Sequence, residues 1–243
     1  MDRLHYRQWL HVRRPDLPFF WNGAEVPPDQ TCARVRRKGA SHRGIGGKKA
    51  LRELVAGAAD QAFLDEIADL TDLEYLELEW PLTAMDLAPL RSLAKLRTLR
   101  IDSPRGIADF SPLLDLPLLD RLFIENAKHL HALDWLRPLK DRLVALGIEG
   151  SIWTPQRIAS LAPLAGFTLE ALFLTSTRLD DQDLSPLATM PNLQILETGI
   201  NAPQRQFLAL RESKPGLECR WFDETAWDGF RDPHPPRTGK SRS

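Results

Sequence analysis

The sequence predicts an α/β solenoid, with a curved parallel sheet on the concave side, short helices on the convex side and a cap at each end. Three observations lead there. A strand-like octapeptide recurs at a mean spacing of 24 residues. A Pro-Leu motif recurs between its copies. The 243 residues are 43% hydrophobic and 27% charged, an ordinary globular balance that excludes wholesale disorder and a collagen-like fibre.

The octapeptide reads LEYLELEW from Leu73, LRTLRIDS from Leu96, LDRLFIEN from Leu119, LVALGIEG from Leu143, LEALFLTS from Leu169 and LQILETGI from Leu193. A degenerate copy, LECRWFDE, starts at Leu217. The spacings are 23, 23, 24, 26, 24 and 24. Each copy follows L-x-x-L-x-[L/I], with Thr198 and Phe222 as late substitutes and Arg220 replacing the middle leucine of the last. Strand side chains alternate, so the leucines point to one side. One strand and one short helix cannot close a core, but stacked neighbours can. Each buried Leu or Ile then contributes about 1.5–3 kcal/mol before entropy is charged. Seven strands at about 4.8 Å give a sheet about 30 Å across.

The second motif reads Ala88-Pro89-Leu90, Ser111-Pro112-Leu113, Arg137-Pro138-Leu139, Ala162-Pro163-Leu164 and Ser185-Pro186-Leu187. Proline suits the first turn of a helix, where its missing N–H costs nothing. A serine, or an aspartate nearby, can cap that turn. Each unit therefore reads as strand, turn and short helix.

These motifs resemble those of leucine-rich repeat proteins, closest to the bacterial 22–24-residue type with a convex Pro-Leu. The resemblance covers residues 57–223. The family usually carries Asn three residues after the last strand leucine, bonding the backbone of neighbouring turns. Those places here hold Pro81, Pro104, Ala127, Ser151, Thr177 and Asn201, so looser and more variable turns are expected.

The ends read as caps. Residues 1–56 form an N-terminal cap region with a basic Gly-rich loop, 57–230 the repeat domain with its C-terminal cap, and 231–243 a disordered basic tail. A helix is expected over 2–13, an edge strand over 31–37 and a helix over 49–68. Trp9, Phe19, Phe20 and Trp21 serve the first cap, or form a separate aromatic binding element; Trp221, Phe222, Trp227 and Phe230 serve the second. The net charge of −1 conceals a front of +7 over residues 1–56, a body of −11 over 57–230 and a tail of +3. No run of about 18 apolar residues occurs, so no membrane span is expected. The polar N-terminus lacks a secretory pattern, and Cys32 and Cys219 are too few for a disulfide framework, which points to a reducing, cytoplasmic setting.

Function is expected on the concave face, where the non-leucine strand positions stack into columns. The first reads Tyr75, Thr98, Arg121, Ala145, Ala171, Ile195 and Cys219. The second reads Glu77, Arg100, Phe123, Gly147, Phe173, Glu197 and Trp221. The third reads Glu79, Asp102, Glu125, Glu149, Thr175, Gly199 and Asp223. Four carboxylates at one register, about 5 Å apart, repel one another and point to a basic partner; an ordinary solvated acidic face is the plain alternative. The expected binding residues are Tyr75, Glu77, Glu79, Arg100, Asp102, Arg121, Phe123, Glu125, Glu149, Phe173, Glu197 and Trp221.

Other features read as less informative. Arg34, Arg36, Arg37, Lys38, Arg43, Lys48 and Lys49 form a solvated basic loop, a nucleic-acid contact or a shield for the acidic face. GIGGKK fails the phosphate-loop pattern, with His42 where its first Gly belongs and Lys49 where Ser or Thr belongs. Surface histidines are the expected reading of His5, His11, His42, His129, His131 and His234, although the H-x-H pair can ligate a metal. No nucleophile elbow, H-E-x-x-H or Cys-His signature appears. The expectation is a non-enzymatic protein–protein interaction module, with no cofactor or metal. Its partner is a basic protein rather than nucleic acid or membrane, it is a monomer, and an immunity- or inhibitor-like role fits the acidic face. An enzyme or enzyme subunit using the N-terminal region, or a structural adaptor, are the rival readings.

Overall fold

The computed structural model describes residues 16–228. The helix expected over 2–13, Trp9, Phe230, the tail 231–243 and His5, His11 and His234 lie outside the described residues. The six strong octapeptides form β4 (Tyr75–Glu79), β5 (Thr98–Asp102), β6 (Arg121–Glu125), β7 (Ala145–Glu149), β9 (Ala171–Leu174) and β11 (Ile195–Thr198). Ahead of them run β1 (Phe19–Phe20), β2 (Cys32–Arg36) and β3 (Glu53–Gly57). These nine pair in chain order, all parallel. β8 (Gln156–Ile158) and β10 (Thr177–Leu179) make a separate parallel pair.

The register is unshifted from unit to unit. Leu54, Leu76, Leu99, Leu122, Leu146, Leu172 and Leu196 stand opposite one another, and all are buried. Ala56, Leu78, Ile101, Ile124 and Ile148 form a second buried column on the same face. Leu90, Leu113, Leu139, Leu164 and Leu187 of the Pro-Leu motifs close this core from the other side.

The proline-led segments are mostly 3-10 turns rather than α-helices: Ala88–Ser92, Ser111–Asp115, Asp134–Leu139 and Ala162–Leu164. Only Ser185–Ala188 (α2) makes an α-turn. A 3-10 turn suits so short a connection. In four of these five segments a side chain two residues upstream caps the turn start, Ser160 doing so for Ala162 at 2.9 Å. Asp86, Asp109 and Asp183 accept from the amides of Ala88, Ser111 and Ser185 at 2.7, 2.8 and 2.9 Å. Ser111 holds the exposed Asp109 carboxyl below the usual carboxylate range through its amide and its hydroxyl.

Two expectations need correction. Residues 49–68 are not one helix. They divide into β3, which pairs with both β2 and β4, and a short helix α1 (Gln61–Ile67) whose N-cap Asp60 accepts from Phe63 N at 3.0 Å. Leu51, Leu54 and Ala56 are therefore an unrecognised repeat, with Ala in the last leucine place. The copy at Leu217 is not a strand either. Arg220 cannot enter the leucine column, so the backbone makes only an isolated bridge from Glu218 to Ile195 and then a 3-10 turn, Arg220–Phe222. Trp221 consequently leaves the expected sheet face. Its indole N–H donates to the Thr198 carbonyl at 2.7 Å, and its ring packs against Trp227, centroids 5.3 Å apart. Together with Phe207 of α3 (Gln204–Ser213), this aromatic group covers the last leucines.

The turns after the strands hold together without the expected asparagines. Amides of Ser103, Asn126 and Gly150 donate to the carbonyls of Glu125, Glu149 and Thr175 in the next unit at 2.8, 2.8 and 2.9 Å. Ser103 and Asn126 turn the chain with φ of 53° and 54°, in the left-handed region. Two side chains do the bridging work deeper in. Gln156 Oε1 accepts from Ala127 N at 2.9 Å while its Nε2 donates to the Leu130 carbonyl, and Thr177 Oγ1 donates to the Ile148 carbonyl at 2.7 Å. Both side chains are buried. Replacing Gln156 by Ala strands a buried N–H and a buried C=O, so Gln156→Ala is expected to lower the unfolding free energy by about 2 kcal/mol in urea titration. A loss below about 0.5 kcal/mol contradicts this account.

Candidate protein-binding surface

The sheet face turned away from the leucine core, the front face, carries the remaining strand positions. Glu53, Tyr75, Thr98, Arg121, Ala145, Ala171 and Ile195 align along one register. Val55, Glu77, Arg100, Phe123, Gly147, Phe173 and Glu197 align along the next. Asp102, Glu125 and Glu149 align along the third. Glu79 ends β4 opposite Gly57.

The centre of this face is apolar and covered. Val55, Tyr75, Phe123, Ala145, Ala171, Phe173 and Ile195 form a second hydrophobic cluster, each 5% exposed or less. Gly147 makes it possible. A Cβ there would lie 2.5 Å from Cδ1 of Phe123, so the glycine leaves room for the Phe123 ring to meet Phe173, centroids 5.5 Å apart. Leu17, from the segment entering β1, packs on the cluster.

Charge surrounds that centre, and much of it is internally satisfied. Arg100, 7% exposed, pairs with Glu125 and lies 3.6 Å from Glu77, itself 2% exposed. The Tyr75 hydroxyl donates to Glu77 at 2.8 Å. Arg34 of β2 reaches across β3 to Glu79 at 2.8 Å. Thr175 donates to Glu149, and Ser103 donates to Asp102 at 2.8 Å. The carboxylates are therefore not a row of bare repelling charges; hydroxyls and two arginines divide it. Along the described strands the front face still carries seven carboxylates, of Glu53, Glu77, Glu79, Asp102, Glu125, Glu149 and Glu197, against the guanidinium groups of Arg34, Arg36, Arg100 and Arg121.

The structure brings eleven of the twelve expected binding residues onto this one face; Trp221 is the exception, in the C-terminal aromatic group. Sequence reasoning missed Val55 and Leu17 of the apolar centre. Val55 belongs to the repeat hidden in residues 51–57, and no periodicity marks Leu17.

The basic loop contacts its own end of the sheet. Lys48 bonds the Ala24 carbonyl at 3.0 Å, Arg37 pairs with Asp60 at 3.1 Å, and Gly46 N donates to the Glu66 carboxylate at 3.3 Å. Of the basic segment, Arg34 in β2 contacts the acidic face, through Glu79. His42 is no surface residue: it is buried and stacked on Phe63, centroids 5.2 Å apart. His131 lies 3.4 Å from Asp180, which Arg157 also holds at 2.7 Å. Among the described residues no three His, Cys, Asp or Glu side chains gather to hold a metal. No described helix is long and apolar enough to cross a membrane.

No protein-family model matches the sequence, and no curated protein matches it either. Among solved structures the chain is similar to an internalin, InlF, from Listeria monocytogenes, with a TM-score of 0.57 and 19% identity over 76% of this chain and 52% of that one. The fold is that of a leucine-rich-repeat solenoid. The chain spans about half the length of that internalin. It is also similar to internalin C2 from the same organism, with a TM-score of 0.47 and 24% identity over 66% of this chain and 75% of that one. A third similarity is to the leucine-rich repeat domain of the type III effector XopL, with a TM-score of 0.33 and 14% identity over 80% and 76% of the two chains. Glutamate is seldom fully buried unless it is paired. Here Glu77 is buried between a phenol and a guanidinium, which makes the pair a structural dependency. Arg100→Ala removes the guanidinium shared by Glu77 and Glu125 and is expected to cost about 3 kcal/mol in urea unfolding; a cost under about 1 kcal/mol contradicts that reading.

Cys219, which stands beside the closing tryptophans, gives a second test. Burial raises its thiol pKa to about 11, with a smaller push from Glu197. Thiolate is the reactive form. At pH 8 Cys219 is expected to react with a maleimide at least tenfold slower than a free cysteine, and to accelerate as pH rises toward 11. A rate matching free cysteine refutes the half-buried placement.

Proposed function

We propose that this solenoid is a non-enzymatic protein-binding module that takes a basic segment of a protein partner on its front face. The observation that supports this most is the composition of that face: an aromatic and aliphatic centre ringed by more carboxylates than guanidinium groups. Aromatic anchors supply contact energy, and the surrounding charge sets specificity and speeds encounter. Steric and electrostatic masking of a basic enzyme, as by an immunity protein or inhibitor, is the concrete form we favour. The surface runs from β2 to β11, with Arg34 and Val55 contributing ahead of residue 57. A cytoplasmic setting in a bacterium fits the repeat type and the free thiols of Cys32 and Cys219. We take the working unit to be a monomer.

The test is affinity capture from the native cell with the wild type and with Asp102→Lys/Glu149→Lys. Arg34 pairs with Glu79 and Arg100 with Glu125, so the reversal at Asp102 and Glu149 leaves those two pairs in place. The wild type is expected to retain a protein that salt elutes, and the variant to retain at least tenfold less with an unchanged melting temperature. Equal capture by both removes the acidic face from the binding mechanism.

A further inference from the structure

We propose a second binding site, on the edge of the solenoid where the turns after the strands gather: a basic groove with an apolar rim that takes an extended acidic segment of a protein partner. It lies apart from the front face and does not depend on the reading of that face. A groove of about 820 Å³ crosses the turns that follow β5, β6 and β7, bordered by Arg105, Lys128, His131, Arg157 and Asp180. A second hollow of about 520 Å³ shares Arg157 and Asp180 with it and extends to Arg178. Both volumes fall within the range of ligand clefts.

The charge of the groove is unlike that of the molecule around it. Asp180 is the one carboxylate among the described residues lining either hollow, and Arg157 at 2.7 Å and His131 at 3.4 Å both hold it. Arg105, Lys128 and Arg178, all exposed, add cations beyond what Asp180 offsets. Residues 57–230 sum to −11, so this is a local concentration of positive charge on an acidic body. Such a concentration draws an anionic group to one place on the surface.

The rim supplies the apolar contact. Ile152 and Trp153 directly precede the lining residues Thr154 and Pro155, and each is 87% exposed, more than any other large hydrophobic among the described residues. Their turn is closed on itself. Ser151 N donates to the Thr154 carbonyl at 2.9 Å, and Thr154 N donates to Ser151 Oγ at 3.0 Å. The backbone therefore holds both side chains out at the mouth of the groove. A solvent-facing tryptophan of this kind is a ready anchor once a partner covers it.

The strand beneath selects a polypeptide. β10 has β8 on one side and no described strand on the other, and its Arg178 and Leu179 line the second hollow. An unpaired strand edge offers main-chain hydrogen bonds at the spacing of an extended chain, which neither a lipid headgroup nor a nucleic-acid backbone reproduces. Carboxylates of the bound segment meet the cations, and an aliphatic or aromatic residue beside them covers Trp153.

The test is fluorescence anisotropy of a dye-labelled peptide of four Glu-Asp-Leu repeats, titrated with the full chain. Saturable binding is expected, weakening at least fivefold between about 25 and 300 mM salt. Arg105→Glu/Lys128→Glu is expected to weaken it at least tenfold and Trp153→Ser at least threefold. Both variants should keep the wild-type melting temperature, because all three side chains are exposed. Absence of binding at about 1 mM protein, or equal affinity in the wild type and either variant, overturns the proposal. Asp102→Asn, on the front face, is expected to leave the affinity unchanged; a loss matching that of the groove variant places the peptide on the front face and overturns the edge site. Two further probes separate the other anions: vesicles of phosphatidylcholine with phosphatidylserine, and single-stranded oligothymidine. Either probe binding more tightly than the peptide, with the same dependence on Lys128 and Trp153, makes the groove a membrane or nucleic-acid contact and overturns the proposal.

Discussion

Parallel pairing without a register shift places each residue beside its equivalent in the next unit, so one sequence choice repeated becomes one column in space. The leucine column from Leu54 to Leu196 is the product of that constraint, and a single unit has no core without it. The same constraint defines where the stack can stop. Ala56 fits the column as a smaller apolar residue, and β3 forms. Arg220 does not fit, and the sheet ends one unit earlier than the leucines announce. Trp221 and Trp227 then cover the exposed end with large rings, and each indole N–H finds a carbonyl. An aromatic cap of this kind meets the demand of a solenoid terminus and the demand of two buried donors at once.

Stacking also creates a polar problem at every turn. Each strand end leaves amides and carbonyls that must pair in the interior or cost about 1–3 kcal/mol apiece. A regular repeat solves this with one side chain at a fixed position. Here the solution is distributed: backbone amides bond forward to the next unit, and Gln156 and Thr177 bridge from positions on the short β8/β10 pair. The longest spacing, 26 residues between Leu143 and Leu169, is where Gln156 lies. The extra residues build the turn of Gly150, Ser151 and Thr154 that sets Gln156 under its neighbours. A Cβ on Gly150 would fall 2.2 Å from the Ser176 carbonyl oxygen, so only glycine permits that approach.

What the sequence revealed and concealed follows from the same physics. Six leucine octapeptides and five Pro-Leu turns were legible because each places a branched apolar residue at a fixed interval. The unit at Leu51 was not, because LRELVAGAADQAFLDEIA also satisfies helical spacing, and only pairing with β2 and β4 decides between strand and helix. Columns on the front face were legible from alternation alone. Their surroundings were not. Alternation says which way Glu77 and Arg100 point, but not that Tyr75 and Glu125 complete a buried cluster around them. Arg34 lies 45 residues from Glu79 in sequence, and strand order alone brings them together.

This corrects how the acidic column bears on function. Like charges on adjacent strands argue for a partner only to the extent that the protein leaves them unbalanced. Arg100 and Arg34 offset the charges of Glu125 and Glu79, the Thr175 and Ser103 hydroxyls only solvate those of Glu149 and Asp102, and the residual excess is smaller than the sequence implies. Affinity on such a face then depends less on charge than on the aromatic centre, where Gly147 lets Phe123 and Phe173 touch. Charge selects what approaches, and apolar area decides what stays. A ligand that satisfies both must alternate cations with rings and aliphatic groups. That requirement sets the chemistry a partner has to match.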